Sequence, residues 1–116
     1  MEVLENTRMK EGYGEDIIVK NGSRLNFCGA IMGTIRITGE SSAIVNGEVF
    51  GDVIVMAGAM AEVNGIVHGT VFNYQGDVSI YGSINRVVTV RGNTYIDKKA
   101  VVRTVPCVNG VTGGHG

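Results

Sequence analysis

Cysteine, histidine, proline and tryptophan are all scarce in this chain: 116 residues hold two Cys, two His, one Pro and no Trp. Cys28 and Cys107 are too few for a disulfide framework and lie outside any CxxC pair, so they read as reduced structural thiols. With only His68 and His115, a zinc site built on three histidines cannot form, and Cys28, Cys107, His68 and His115 lack the spacing of a structural zinc site. Charge of one sign is also lacking. Ten Lys and Arg against eleven Asp and Glu give a net charge of −1, with no basic block to track a phosphate backbone, so nucleic acid is not an expected partner. No stretch approaches the roughly 18 apolar residues of a membrane-spanning helix. The opening MEVLENTRMKEGYGED has no apolar core of a signal peptide. A cytoplasmic protein with no transmembrane segment is expected. The patterns GxGxxG, GxxxxGK[ST] and GGxGxD are missing as well, and no cofactor is expected.

Glycine is abundant instead, at 18 residues. It falls into a unit, Gly-x-[Ile/Val]-x-Gly-x-[Ile/Val], seen in Gly29–Ile35, Gly47–Val53 and Gly65–Val71, with a spacing of 18 residues each time. A fourth copy runs from Gly82 to Val88 after 17 residues, with Arg86 standing where the second glycine is expected. Two positions before each opening glycine stand Phe27, Val45, Val63 and Ile80, and four before stand Leu25, Ala43, Ala61 and Val78. From Ala43 to Val55 the alternation has period two, which sends Ala43, Val45, Val49, Val53 and Val55 to one face of an extended chain.

A helix needs a period of 3.6, and a flat antiparallel sheet does not impose one fixed repeat on glycines and valines together. A coil of stacked strands does. The chain is therefore read as an all-β protein, a single short β-solenoid (β-helix) of about six turns with about 18 residues per turn over residues 16–102. Ile17 and Val19 fall in a degraded first turn, and Ile96, Ala100 and Val102 in a degraded last one. Residues 1–15 are read as an N-terminal cap or tail, and residues 103–116 as a C-terminal tail. Asn73 occupies a rung held elsewhere by Ile37 and Val55, which predicts a local bend that satisfies its amide.

At these residues, above all NGEVFGDVIV (46–55) and NGIVHGTVFN (64–73), the sequence resembles the bactofilins, a polymer-forming cytoskeletal family of bacteria. That resemblance implies a right-handed coil that assembles end to end, without nucleotide, into non-polar filaments.

The outward ladders carry no convergent chemistry. They read Ala30, Glu48, Ile66, Ser83; then Met32, Phe50, His68, Asn85; then Thr34, Asp52, Thr70, Val87. None pairs two carboxylates or sets a serine or cysteine beside a histidine, so no enzyme is expected. Outward apolar residues stand out instead: Met32 and Phe50 share one ladder, and Ile54 and Phe72 another. A contiguous patch of this kind marks a protein contact, unless Val3, Leu4, Met9 or Tyr13 folds back over it.

Two functions fit. A structural protein would polymerise through the open strand edges near Ile17 and Val102, with itself as partner. A small immunity protein would instead bind and neutralise a toxin partner through Met32, Phe50, Ile54 and Phe72 with the acidic Glu48, Asp52 and Glu62. Both depend on the same inward parity, in which Val49, Val67 and Ile84 form one buried ladder. Val67→Asp is thus expected to unfold the domain, since an unpaired charge in a dry core costs several kcal/mol. An unchanged circular dichroism spectrum for that variant would refute the parity.

Overall fold

A computed structural model describes residues 2–3, 6–9, 14, 16–20 and 22–104, which hold strands and no helix. The strands in chain order are β1 (Glu2–Val3), β2 (Thr7–Met9), β3 (Ile17–Val19), β4 (Arg24–Phe27), β5 (Ala30–Ile31), β6 (Ile35–Ile37), β7 (Ser42–Val45) and β8 (Glu48–Val49). They continue as β9 (Val53–Val55), β10 (Met60–Val63), β11 (Ile66–Asn73), β12 (Gly76–Ile80), β13 (Ser83–Thr89), β14 (Gly92–Ile96) and β15 (Val101–Thr104). Every strand pairing is parallel, and the protein is a β-solenoid of about five turns, close to the six expected.

Each turn runs along three sides. One is the six-stranded sheet β14-β12-β10-β7-β4-β2; the other two belong to the second sheet, whose main path is β1-β3-β6-β9-β11-β13-β15, with β5 and β8 alongside. The registers reproduce the sequence repeat: Leu25 pairs with Ala43 and Ala43 with Ala61, each 18 residues on. Inward positions stack into a continuous core. Ile31, Val49, Val67 and Ile84 form one buried ladder, and Phe27, Val45, Val63 and Ile80 another. Each such side chain contributes roughly 1.5–3 kcal/mol on burial.

Glycine marks the corner after the first side for a steric reason. A Cβ on Gly65 would overlap the carbonyl oxygen of Gly47 and lie 2.8 Å from the carbonyl carbon of Asn46. Gly47 and Gly82 meet the preceding turn in the same way, so successive backbones approach more closely than any side chain allows. At another corner the chain needs a positive φ, supplied by Gly22 (69°) and Gly58 (78°). Glu40 takes the same place between them with φ 63°.

Residues 1–15 were read as a cap or tail; within them β1 pairs with β3 and β2 with β4, and Val3 is buried at 2% exposure in the core. Ile17 is consequently no end rung: it is fully buried inside the stack, because the first two strands continue both sheets past it. Val3 packs into the core rather than over the outward residues; Leu4 and Tyr13 lie outside the described residues, as do residues 105–116 of the expected C-terminal tail.

The fourth repeat also differs. Thr70 pairs with Arg86 and Val71 with Val87, across a register shift between Val67 and Thr70. The second glycine is therefore deleted rather than replaced. Arg86 is exposed, and Val87, expected to face outward, enters the core at 8% exposure while Val88 turns out.

Two substitutions test the corners in opposite directions. Glu40→Gly is expected to stabilise the fold by up to about 1 kcal/mol, because a left-handed backbone costs a non-glycine residue about 1–2 kcal/mol and glycine's extra chain entropy offsets part of the gain. Gly65→Ala is expected to lower the denaturation midpoint sharply, since the atoms it meets are backbone. Equal midpoints for the two variants in urea would refute the corner geometry.

Candidate functional site

The repeat distance brings equivalent outward side chains within reach of one another, and several of the polar ones bond along the coil axis. At the first corner the Asn64 amide donates to the Asn46 carbonyl oxygen at 2.8 Å, and the Asn46 amide to Asn26 at 3.2 Å. Cys28, exposed and unpaired with another cysteine, lies 3.5 Å from Asn26 Oδ1. At the second corner Asp16 Oδ1 accepts the Thr34 backbone N–H at 2.8 Å, Thr34 Oγ1 accepts that of Asp52 at 3.2 Å, and Asp52 Oδ1 that of Thr70 at 2.7 Å. This ladder holds together the bend that follows each second glycine.

Those bonds decide the standing of the acidic residues singled out in the sequence. Asp52 is half-buried and serves the coil itself. Glu62 is exposed and accepts the Asn64 amide at 2.9 Å. Glu48 lies 2.6 Å from His68 Nε2, on one side of the imidazole whose ring stacks on Phe50 at 4.6 Å between centroids. Met32 precedes Phe50 on that ladder; they are 64% and 42% exposed.

Ile54 and Phe72 are paired neighbours, but on the next side of the coil, beyond the Gly51–Asp52 corner. Both are half-buried, and Phe72 stacks on Tyr74 at 6.2 Å. Ile44 and Met60 lie on a third side, where with Arg24, Glu62 and Asp77 they line a groove of about 320 Å³. The outward apolar residues are thus divided among three sides instead of forming the single patch expected. Alternation along a strand sets in against out; it carries no information on which side of a triangular coil the outward residue occupies.

Asn73 is fully buried. Its amide donates to the carbonyl oxygens of Asn93 (2.9 Å) and Gly76 (3.2 Å) and to Thr94 Oγ1 (2.9 Å), while its own oxygen accepts the Gly76 N–H at 2.7 Å. The bend it closes runs from Asn73 to Gly76, one residue shorter than the Val55 to Ala59 bend below it, and the following register drops to 17. In the last turn Asp97 accepts from the Lys99 N–H at 2.9 Å and from the Tyr95 hydroxyl at 3.0 Å. The Lys99 amide holds the Asp97 carboxyl below its ordinary range, and the bond to Asp97 pushes the Tyr95 phenol up.

Among the described residues no group of three or more His, Cys, Asp or Glu could hold a metal ion, and no helix is long and apolar enough to cross a membrane. Cys107 and His115 lie outside them. No protein-family model, no characterised protein and no solved structure matches the chain. Sequence reasoning set Thr34, Asp52 and Thr70 on one outward ladder but missed the hydrogen bonds that run along it, and it missed the ladder of Asn46 and Asn64, which already recur at the repeat spacing.

The division of roles is open to measurement. Asp52→Ala leaves the Thr70 N–H without its acceptor and is expected to cost about 1 kcal/mol, while Asp52→Asn, which keeps an acceptor, costs less. Met32→Ser, at a solvent-facing corner, is expected to stay within about 0.5 kcal/mol of the parent. Thermal denaturation of the three variants checks the order.

Proposed function

We propose that this chain is a non-catalytic structural protein of the cytoplasm that assembles with itself through the ends of its solenoid, as its resemblance to the bactofilins implies. The observation that carries this reading is the last turn. Ile96 continues the buried ladder of Phe27, Val45, Val63 and Ile80 and is nevertheless 41% exposed, while Val102 continues the ladder of Ile84 and is only half-buried. A core rung left open beside strand edges is a template for the next strand, which supplies both backbone partners and apolar cover. The Asp52 carboxylate bonds to the backbone of the next turn and Glu48 to the His68 of the next turn, which fits a structural role.

A second reading, a small immunity protein that binds a toxin partner, is favoured by the exposed Met32–Phe50 corner with Glu48 beside it. The two separate in solution. Self-assembly predicts large species without nucleotide by light scattering and electron microscopy, and Val102→Lys is expected to disperse them with unchanged circular dichroism, because the lysine would place an unpaired charge in the junction. A sharp monomer at high protein concentration would defeat self-assembly and leave the Met32–Phe50 corner as the surface to mutate.

A further inference from the structure

Half of the bases of this chain gather in one part of the coil. Residues 25–85 hold a single base, Arg36, against five acids, Glu40, Glu48, Asp52, Glu62 and Asp77. Residues 86–103 reverse the balance, with Arg86, Arg91, Lys98, Lys99 and Arg103 against Asp97 alone, and residues 104–116 add no Lys, Arg, Asp or Glu. All five of these bases are exposed. They surround the last turn rather than lining one side of it: Lys98 and Lys99 stand at the corner between β14 and β15, Arg91 at the bend before β14, and Arg86 opposite Thr70 at the second corner. The Asp97 carboxylate bonds within its own turn, to the Lys99 N–H and the Tyr95 hydroxyl.

Within this ring of cations lie the exposed Ile96, the half-buried Val102 and the outer strand β14. We propose that the last turn is a salt-gated junction, at which two copies of this chain meet tail to tail only when the charges around it are screened. This rests on the reading that the chain assembles through its ends. The partner is a second copy because an isologous contact needs the same patch on both sides, and the last turn supplies it. A two-fold axis sets β14 of one copy against β14 of the other in the antiparallel sense, pairs the two outer edges, and lays each open rung against its equivalent. The same symmetry brings five bases from each copy face to face, offset by only one Asp97 from each.

Ionic strength decides which effect prevails. The coil is 25 × 20 Å across. At about 0.01 M salt the Debye length is about 30 Å, so every base of the ring acts on those opposite; at about 0.15 M it is about 8 Å, and only the nearest pairs still repel. Backbone pairing and apolar contact across the junction are not screened. Salt therefore promotes this contact, whereas it would weaken one held by ion pairs. A filament needs two junctions per copy, so with the tail junction shut, growth stops at two copies.

Sedimentation velocity and light scattering of the full chain, at one protein concentration in about 0.01 M and about 0.3 M NaCl, read the gate. The parent is expected to form species of no more than two copies at the lower salt and to gain roughly fivefold or more in average mass at the higher. The combined variant Lys98→Gln, Lys99→Gln, Arg103→Gln, with its fold checked by circular dichroism, is expected to be large already at the lower salt. Arg36→Gln, which removes an exposed base from the middle of the coil, is expected to behave as the parent does. Should the triple variant not fold, Lys99→Gln alone is expected to lower the salt concentration at which the large species appear. A parent equally large at both salts, or charge-removing variants with an unchanged salt dependence, would overturn the gate while leaving assembly through the ends standing. Particles that shrink as salt rises would overturn it in favour of a contact between opposite charges. Monomers of the parent and of the variants at every salt would overturn both readings.

Discussion

The distance between successive parallel strands governs this molecule. Backbones that hydrogen-bond side by side lie about 4.8 Å apart, and every turn has to close on itself while keeping that spacing to the turn below. Sides of the coil meet the requirement with ordinary strand pairing. Corners are harder, because the chain changes direction where the neighbouring turn does the same. At Gly47, Gly65 and Gly82 the backbone passes so close to the carbonyl of the preceding turn that a Cβ has no room. The inward valines and isoleucines supply the driving force, but the glycine corners allow the rungs to stack at all.

The same spacing explains why polar groups on the outside serve the coil. A residue repeated at each turn meets its own equivalent, so asparagine bonds to asparagine, and threonine and aspartate take turns in accepting the next backbone N–H. Exposed pairs of this type add little individually. Repeated along an axis, they hold each bend in the conformation of the last. Where the repeat falters, the structure repairs it locally: Asn73 bonds to Gly76 across a shortened bend and to Asn93 and Thr94 of the next turn, and one residue lost before Arg86 moves Val87 into the place its neighbour would have filled.

A fold built by adding identical rungs has no intrinsic reason to stop. In the last described turn that continuation is open: Ile96 is exposed amid lysine and arginine. The proposed self-assembly follows from this open rung. The flanks, by contrast, present apolar residues in separate small groups, each bordered by a corner, which suits them less to one broad contact.

Sequence alone determined the period, the parity and the class of fold, since alternation of side chains along a strand and a steric demand for glycine at fixed intervals are both local properties. The buried ladders through Val49, Val67 and Ile84, and the satisfied amide of Asn73, were legible for that reason. Only the tertiary structure decided which side of the coil each outward residue occupies, because the bend angles at the corners separate Phe50 from Ile54 and Ile44 from both. Only it decided, too, that Glu2–Val3 and Thr7–Met9 join the stack: strands of two and three residues carry too few alternations to show a period, and their pairing depends on backbone edges supplied by β3 and β4, distant in sequence. The slip from Val88 to Val87 was hidden for a related reason, since a residue lost before Arg86 moves two adjacent valines along by one place and only the register across the turns shows which of the two faces the core.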